Sequence, residues 1–396
     1  MLFPYRLEAA KQKVDKPSTI LRDAKVAIKN RSGQEGVMDR IINALKREDI
    51  STTTRVDLLY GQALLWESLN ERENRKAYLK QAYDTVKFYN TLLNMYEQLR
   101  LCDSVDSQPT SKGKVQPRYK RRTATLREKH RPNILNGGKY FLSKKDYANA
   151  FPYLDDYYIY RTSDDTPDLE RVVVWATVCG YSNKNYDATL RYVDHAIDVS
   201  DRQNQAVLME YKALAYKGLG NENAWLGAMQ QGQQTYPEHT YFFVQLADYY
   251  LAHKNYDDAI EMCKRQEMLY PDSALYWYAE SNFELRKARY HETIACADRA
   301  IALQPNHVDA HFNRAMSYIA LAAIAKENAC SDIHDPKCIE QRRMIQQLYR
   351  HAQGSMELVR KHEPNNPERW GTPLYKIYLN LNMGKEFDEI DNLLKK

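Results

Sequence analysis

Along residues 241–303, apolar side chains recur at three- and four-residue spacing in four stretches divided by short polar breaks. Tyr241 to Ala252 is followed by His253-Lys-Asn-Tyr256 and then by Asp258 to Leu269. Ala274 to Leu285 is followed by Lys287-Ala-Arg-Tyr290 and then by Thr293 to Leu303. That spacing keeps one face of each stretch apolar, so it predicts four amphipathic helices rather than strands. The pattern also repeats: Pro237, Pro271 and Pro305 stand 34 residues apart, and each interval holds two helices and a break. Proline cannot continue a helix, so each one marks the boundary between successive pairs. A period of this size means helix pairs that bury their apolar faces on their neighbours.

The phase extends in both directions with drift. Upstream, Met209, Ala213 and Tyr216 precede the Gly218-Leu-Gly220-Asn turn, and Trp175, Cys179 and Gly180 precede Asn185-Tyr186 and a helix predicted over Ala188 to Val199. Earlier still, Arg131-Pro-Asn-Ile-Leu-Asn-Gly-Gly138 precedes Lys145-Asp-Tyr147 and a helix over Ala148 to Tyr158. Downstream, Pro305 and Pro364 are 59 residues apart, one period plus an insertion of 25. Ile339 to His362 then restores the phase, and Trp370 to Leu381 with Lys385 to Leu394 closes the array with a charged capping helix. The N-terminal third is less regular. Leu58, Leu59, Ala63 and Trp66 place a helix over Thr53 to Asn70, Glu73 to Cys102 reads as a longer one, and Ile20 to Ile28 and Val37 to Lys46 as short ones.

Phe243, Ala247, Tyr250, Ala259 and Pro271 in one repeat, Trp277, Ser281, Ala300 and Pro305 in the next, and His311, Ala315 and Tyr318 in a third resemble the tetratricopeptide repeat in kind and offset. The resemblance implies an all-α fold, a right-handed α-solenoid of antiparallel helix pairs in which small residues let helices approach and large ones fill the gaps. The predicted organisation is a helical region over 1–110, a basic linker over 111–131, and a repeat array over 132–396 with an insertion around 323–338. The 131–138 segment, the long N-terminal helix, the basic linker and Asn382-Met-Gly-Lys-Glu-Phe-Asp look like exported tetratricopeptide proteins of Bacteroidota. That narrower likeness favours the periplasm or cell envelope, while the residues themselves leave the cytoplasm open.

In this family, ligands meet the second, fifth, ninth and twelfth positions of each repeat. Carried over, these are Glu210, Leu214 and Lys217; Tyr241, Val244 and Asp248; Tyr278, Asn282 and Leu285; and Asp309, Phe312 and Met316. The candidate partner-binding residues are therefore Tyr241, Asp248, Tyr278, Asn282 and Phe312, against the alternative that each simply packs between repeats. Their aromatic and polar mix suits an extended peptide or partner helix. The family's chaperone clamp carries Lys and Asn at the fifth and ninth positions. Glu210/Leu214, Val244/Asp248, Tyr278/Asn282 and Phe312/Met316 all depart from it.

Composition narrows the picture further. Of 396 residues 14 are Gly and 14 Pro, about 7% together, below the usual share of roughly 12% and unlike turn-rich β or Rossmann folds. The longest apolar run, Tyr318 to Ala325, has 8 residues, short of the roughly 20 a membrane span needs. Residues Met1 to Ala10 lack the basic and apolar regions of a complete signal peptide. Net charge is only +5, but Ser111 to Arg131 alone carries +8. Arg118, Lys120, Arg121 and Arg122 are the anion-binding candidates there, weighed against a merely solvated linker, since Tyr119 is its only aromatic.

Six cysteines form no CxxC pair, and Cys263 and Cys296 read as buried thiols within helices. Cys330 and Cys338 bracket a polar segment that closes a small disulfide loop if the compartment is oxidising. With His334 they also make a sparse metal set, and His307 and His311 share a helix face, but neither group has a fourth ligand or an HExxH frame. No Walker, GxGxxG, GxSxG or HExxH motif is present. The expectation is a non-catalytic scaffold, without metal or cofactor, that binds a protein or peptide along its concave face. The competing reading is an anion- or nucleic-acid-binding protein acting through 111–131.

Overall fold

The computed structural model describes residues 15–109, 113–161, 166–194, 199–330, 332 and 334–395. Among them the chain is all-α, with eighteen helices and no strand. It divides into two compact units, residues 1–225 and 226–396.

In the first unit, α1 (Pro17–Asn30), α2 (Gln34–Leu45) and α3 (Thr52–Tyr78) enclose a core of Ile20, Ile41, Leu58 and Leu65. Next come α4 (Thr85–Asp106), α5 (Lys120–Ser143), α6 (Tyr147–Ile159), α7 (Thr166–Ser182), α8 (Tyr186–Val193) and α9 (Arg202–Gly218), each packed on its neighbours in sequence. The unit boundary falls inside α10 (Glu222–Thr235). The second unit continues with α11 (Thr240–Ala252), α12 (Tyr256–Leu269), α13 (Ala274–Arg286), α14 (Tyr290–Leu303), α15 (Val308–Glu327), α16 (Pro336–His362), α17 (Pro367–Leu381) and α18 (Gly384–Leu394). Within it, α13 also touches α15, and α15 touches α17. First helices of successive pairs therefore line up, the arrangement of a solenoid.

The repeat has a backbone basis. Between the helices of five successive pairs, Lys145, Lys184, Gly220, Lys254 and Ala288 occupy the left-handed region, with φ of 55–70°. The following residues, Asp146, Asn185, Asn221, Asn255 and Arg289, each donate an N–H to the carbonyl five residues back at 2.9–3.0 Å. This closes the first helix in the manner of a Schellman motif. Asp146, Asn185 and Asn221 then cap the second helix, their side-chain oxygens accepting from Asn149, Ala188 and Ala224. At the other junction, Tyr270 and Gln304 make the last helical bonds before Pro271 and Pro305 stop the helix. Close approach is enforced at Gly232, where a Cβ would be driven into the ring of Phe242. At Gly137 and Gly138 it would meet Tyr153 and Leu154 at 2.7 and 2.8 Å.

Four expectations need correction. The predicted linker over 111–131 is helical from Lys120, inside α5; Ser111 and Lys112 lie outside the described residues. Its second half folds as the start of α5, whose Leu126, Ile134 and Leu135 share a buried face, and its cations have partners: Arg127 pairs with Asp103 at 2.6 Å and lies over Tyr160, while Arg131 lies over Tyr157. The break in the N-terminal third falls at 79–84, because α3 runs on to Tyr78. Asn70 and Glu73 disguise this stretch; both are buried, Asn70 donating to the Phe88 carbonyl and Glu73 held by Lys76. The helix expected up to Val199 ends at Val193; residues 195–198 lie outside the described set. The insertion expected around 323–338, with the helix resuming at Ile339, is largely helical at its ends: α15 runs to Glu327, 20 residues in all, and α16 starts at Pro336 and has 27. Ile319, Ala322, Ile345 and Tyr349 bury the extension. Cys330 and Cys338 are joined as a disulfide across its connection, so they are not metal ligands. No described helix is long and apolar enough to cross a membrane.

Candidate functional site: the face of the first helices

In the second unit, α11 and α13 run side by side and leave a cleft of about 140 Å³. One wall comes from Val244, Asp248 and Leu251 of α11, the other from Leu275, Tyr278 and Asn282 of α13, over a floor of Phe243 and Phe283. Four positions carried over by register, Val244, Asp248, Tyr278 and Asn282, thus share one cleft. The i, i+4 steps Val244/Asp248 and Tyr278/Asn282 put each pair on one helix stripe, and the common period sets the stripes opposite each other. Val244 is 40% exposed, apolar surface left uncovered at the cleft.

The remaining candidates divide. Phe312 lies one helix further, on α15, under the guanidinium of Arg369 at 4.6 Å from its ring centre. Arg369, at the start of α17, binds both Asp309 and Glu363, so the charged edge of this face is an internal ion-pair network. Tyr278 packs its ring 4.6 Å from that of His307, and burial followed by Asp309 raises its phenol pKa. Tyr241 does not line the cleft: it sits in the first turn of α11 against Phe242. Met316 packs on the core of α15–α17. Glu210, Leu214 and Lys217 belong to α9 in the first unit, where Lys217 lies over Trp225. Leu275 and Arg369 were not singled out from the sequence. Leu275 stands at the second contact position of its repeat, 34 residues after Tyr241, but was not carried over, and Arg369 meets Asp309 across 60 residues of chain.

The histidines are structural. His307 caps α15 by accepting from Ala310, and His311 bonds the Pro305 carbonyl at 2.9 Å. Burial lowers both pKa values. Among the anion-binding candidates, Arg118 pairs with Asp57 at 3.2 Å, and Arg118 and Arg122 flank the Tyr119 ring at 5.5 Å. Tyr119 is itself tied to Asp57 by its hydroxyl. Lys120 and Arg121 are exposed in the first turn of α5. Half of this cluster therefore serves the packing of α5 on α3.

One buried acidic group lies elsewhere. Glu267 of α12 and Glu280 and Glu284 of α13 are all under 8% exposed. Burial, and a hydrogen bond to the Glu280 carboxylate, push Glu267 up to about 9, so its carboxyl carries the proton. Lys264 stands 3.6 Å from Glu280, and Arg289 3.3 Å from Glu284. The three carboxyl groups pack beside the thiols of Cys263 and Cys296.

No family model and no curated protein matches this chain. Among solved structures it is similar to tetratricopeptide repeat proteins. The C-terminal part of one from Cytophaga hutchinsonii is 13% identical, with 65% of this chain and 92% of that one covered and a TM-score of 0.45. One from Parabacteroides merdae is 16% identical over 67% and 98%, at 0.36. Another, from Bacteroides fragilis, is 16% identical over 66% and 98%, at 0.29.

Proposed function

We propose that this chain is a non-catalytic interaction scaffold that holds an extended segment of a partner protein along the face of α11, α13 and α15. The observation that carries this reading is the cleft in which Val244, Leu275 and Tyr278 offer apolar contact while Asp248 and Asn282 offer hydrogen bonds. A rigid helix pair presents these groups already in place, so a partner loses its own freedom but not the scaffold's, which favours affinity from a few anchors.

The test is cross-linked capture from the native host with the full chain and with the double variant Asp248→Arg, Asn282→Arg, at low and high salt. Both substitutions sit at the cleft, and neither removes a core side chain. Expected is a protein retained by the wild type at high salt and reduced about tenfold or more in the variant. Equal capture by the variant, or capture of nucleic acid alone that vanishes at high salt, overturns this reading; the second result moves the activity to Arg118, Lys120, Arg121 and Arg122.

A further inference from the structure

In the first unit, the turns that join the two helices of each pair meet along one edge. α5 runs parallel to α3: at its start the Tyr119 hydroxyl reaches Asp57, and further along both helices Lys129 reaches Glu67 and Glu71. Their C-terminal ends therefore lie together, and the rings of Tyr89 in early α4 and Tyr140 in late α5 are 5.3 Å apart. Asn183, in the α7–α8 turn, donates to the Tyr147 carbonyl beside the α5–α6 turn at 3.1 Å. On the other side, Ile28, Lys29 and Arg31 at the end of α1 share a depression with Arg75, Tyr78 and Leu79 at the end of α3.

That edge is basic. Arg31, Lys80, Lys145 and Lys184 each take the left-handed position of their turn, with φ of 53–57°. Gly and Asn occupy that region at least cost, so four long cations in succession are not what turn geometry alone selects. Lys29, Arg75, Lys87 and Lys144 extend the row. Lys29 and Arg75 also complement the C-terminal dipoles of α1 and α3, whereas the turn cations stand beyond the helices. All eight are exposed, and none forms an ion pair among the described residues. The nearby carboxylates are fewer and mostly engaged. Asp84 and Asp146 cap helices, Glu71 and Glu73 are held by Lys129 and Lys76, and Asp187 opens α8.

The same edge carries apolar side chains into water. Tyr78 is 87% exposed, Leu79 53%, Tyr83 41% and Val86 46%, all at the α3–α4 turn. Tyr83 and Val86 lie outside the depression beside α1, so the apolar patch continues past it over the tip of the turn.

Unpaired cations beside exposed Leu, Val and Tyr match an anionic bilayer surface. Lys and Arg are drawn to lipid phosphates, tyrosine settles at headgroup level, and aliphatic side chains enter the acyl boundary. Nucleic acid would use the cations and could stack on tyrosine, but it has no place for Leu79 and Val86. The cations spread over four turns while the apolar side chains gather at one, which suits a broad charged plane entered at one point.

We propose that this edge of the first unit docks the protein on an anionic phospholipid bilayer, with the turn cations on the headgroups and residues 78–86 as the wedge between them. It uses no residue of the α11–α13 cleft, so either surface can fail its test without the other.

The test is sedimentation of the full chain with vesicles of phosphatidylcholine alone and of phosphatidylcholine with a third phosphatidylglycerol. Expected is about tenfold more protein on the anionic vesicles, because each cation near the surface adds to the attraction. Lys80→Glu, Lys145→Glu and Lys184→Glu together lower that binding about tenfold, and Tyr78→Ser with Leu79→Ser lowers it about threefold. Lys361→Glu, Lys376→Glu and Lys385→Glu together, exposed lysines of the second unit that change the net charge equally, leave it unchanged. Every substituted side chain is exposed, and the two wild-type measurements decide even if a variant fails to fold. Binding to neither vesicle, equal binding to both, or equal loss in the two charge variants overturns the proposal. So does full binding by the Tyr78, Leu79 variant, or retention of single-stranded DNA in place of anionic vesicles, which would make the edge a nucleic-acid face.

Discussion

Glu267 shows how one residue sets a property of the whole chain. Its carboxyl is desolvated between α12 and α13 and shares a proton with Glu280, so the folded state holds that proton far more tightly than the unfolded state does. A folded pKa raised from 4.5 to about 9 means that the contribution of this group to stability is fully present at low pH and is lost as pH rises through that interval, levelling above it. Glu284, raised mainly by burial, adds in the same direction, while Lys264 tempers both and Arg289 tempers Glu284. Urea midpoints measured from about pH 5 to about pH 9 are expected to fall for the wild type and to fall distinctly less for Glu267→Gln, which keeps the shape and removes the titration. Identical slopes would place the proton elsewhere.

At the scale of the element, the recurring unit is the turn. Five turns share a left-handed residue and the same backbone closure, but only the turn at Gly220 uses the residue best suited to it. A left-handed non-glycine costs about 1–2 kcal/mol, and the greater freedom of glycine in the unfolded chain returns part of the gain. Ala288→Gly is therefore expected to stabilise the chain by about 0.5 kcal/mol in chemical denaturation. A loss of stability would mean that the Ala288 methyl makes a contact the turn needs. The pairing Lys-Asp-Tyr147, Asn185-Tyr186 and Lys-Asn-Tyr256 was visible as a break between helical patterns. Its left-handed geometry was not, since four of the five positions carry Lys or Ala rather than glycine.

Across the whole molecule, contacts join helices that are adjacent or next-adjacent in sequence. Stability in such an array is close to a sum of local terms and interfaces, so unfolding need not be all-or-none. In urea, the helical circular dichroism and the fluorescence of Trp66, Trp175, Trp225, Trp277 and Trp370 are expected to follow different curves. The denaturant dependence should be shallower than a single cooperative chain of 396 residues would give. Coincident curves with the full slope would show one cooperative body instead.

Local spacing was enough to reveal the helix pairs between Tyr241 and Leu303, while Val244, Asp248, Tyr278 and Asn282 came from the contact register of the resembling family repeated at the common period. A helix is set by residues three and four apart, and a repeat by their recurrence, so both are written along the chain. The partners of polar groups are not. Whether Arg127 is a solvated charge or a buried cation on Tyr160, whether Arg369 reaches Asp309, and whether Gln233 finds a partner all depend on which distant residue arrives alongside. The same aliphatic stem and charged head serve a linker and a core equally well in sequence. Only packing distinguishes them, because the cost of an unpaired polar group arises when water is removed, and tertiary structure alone decides where that happens.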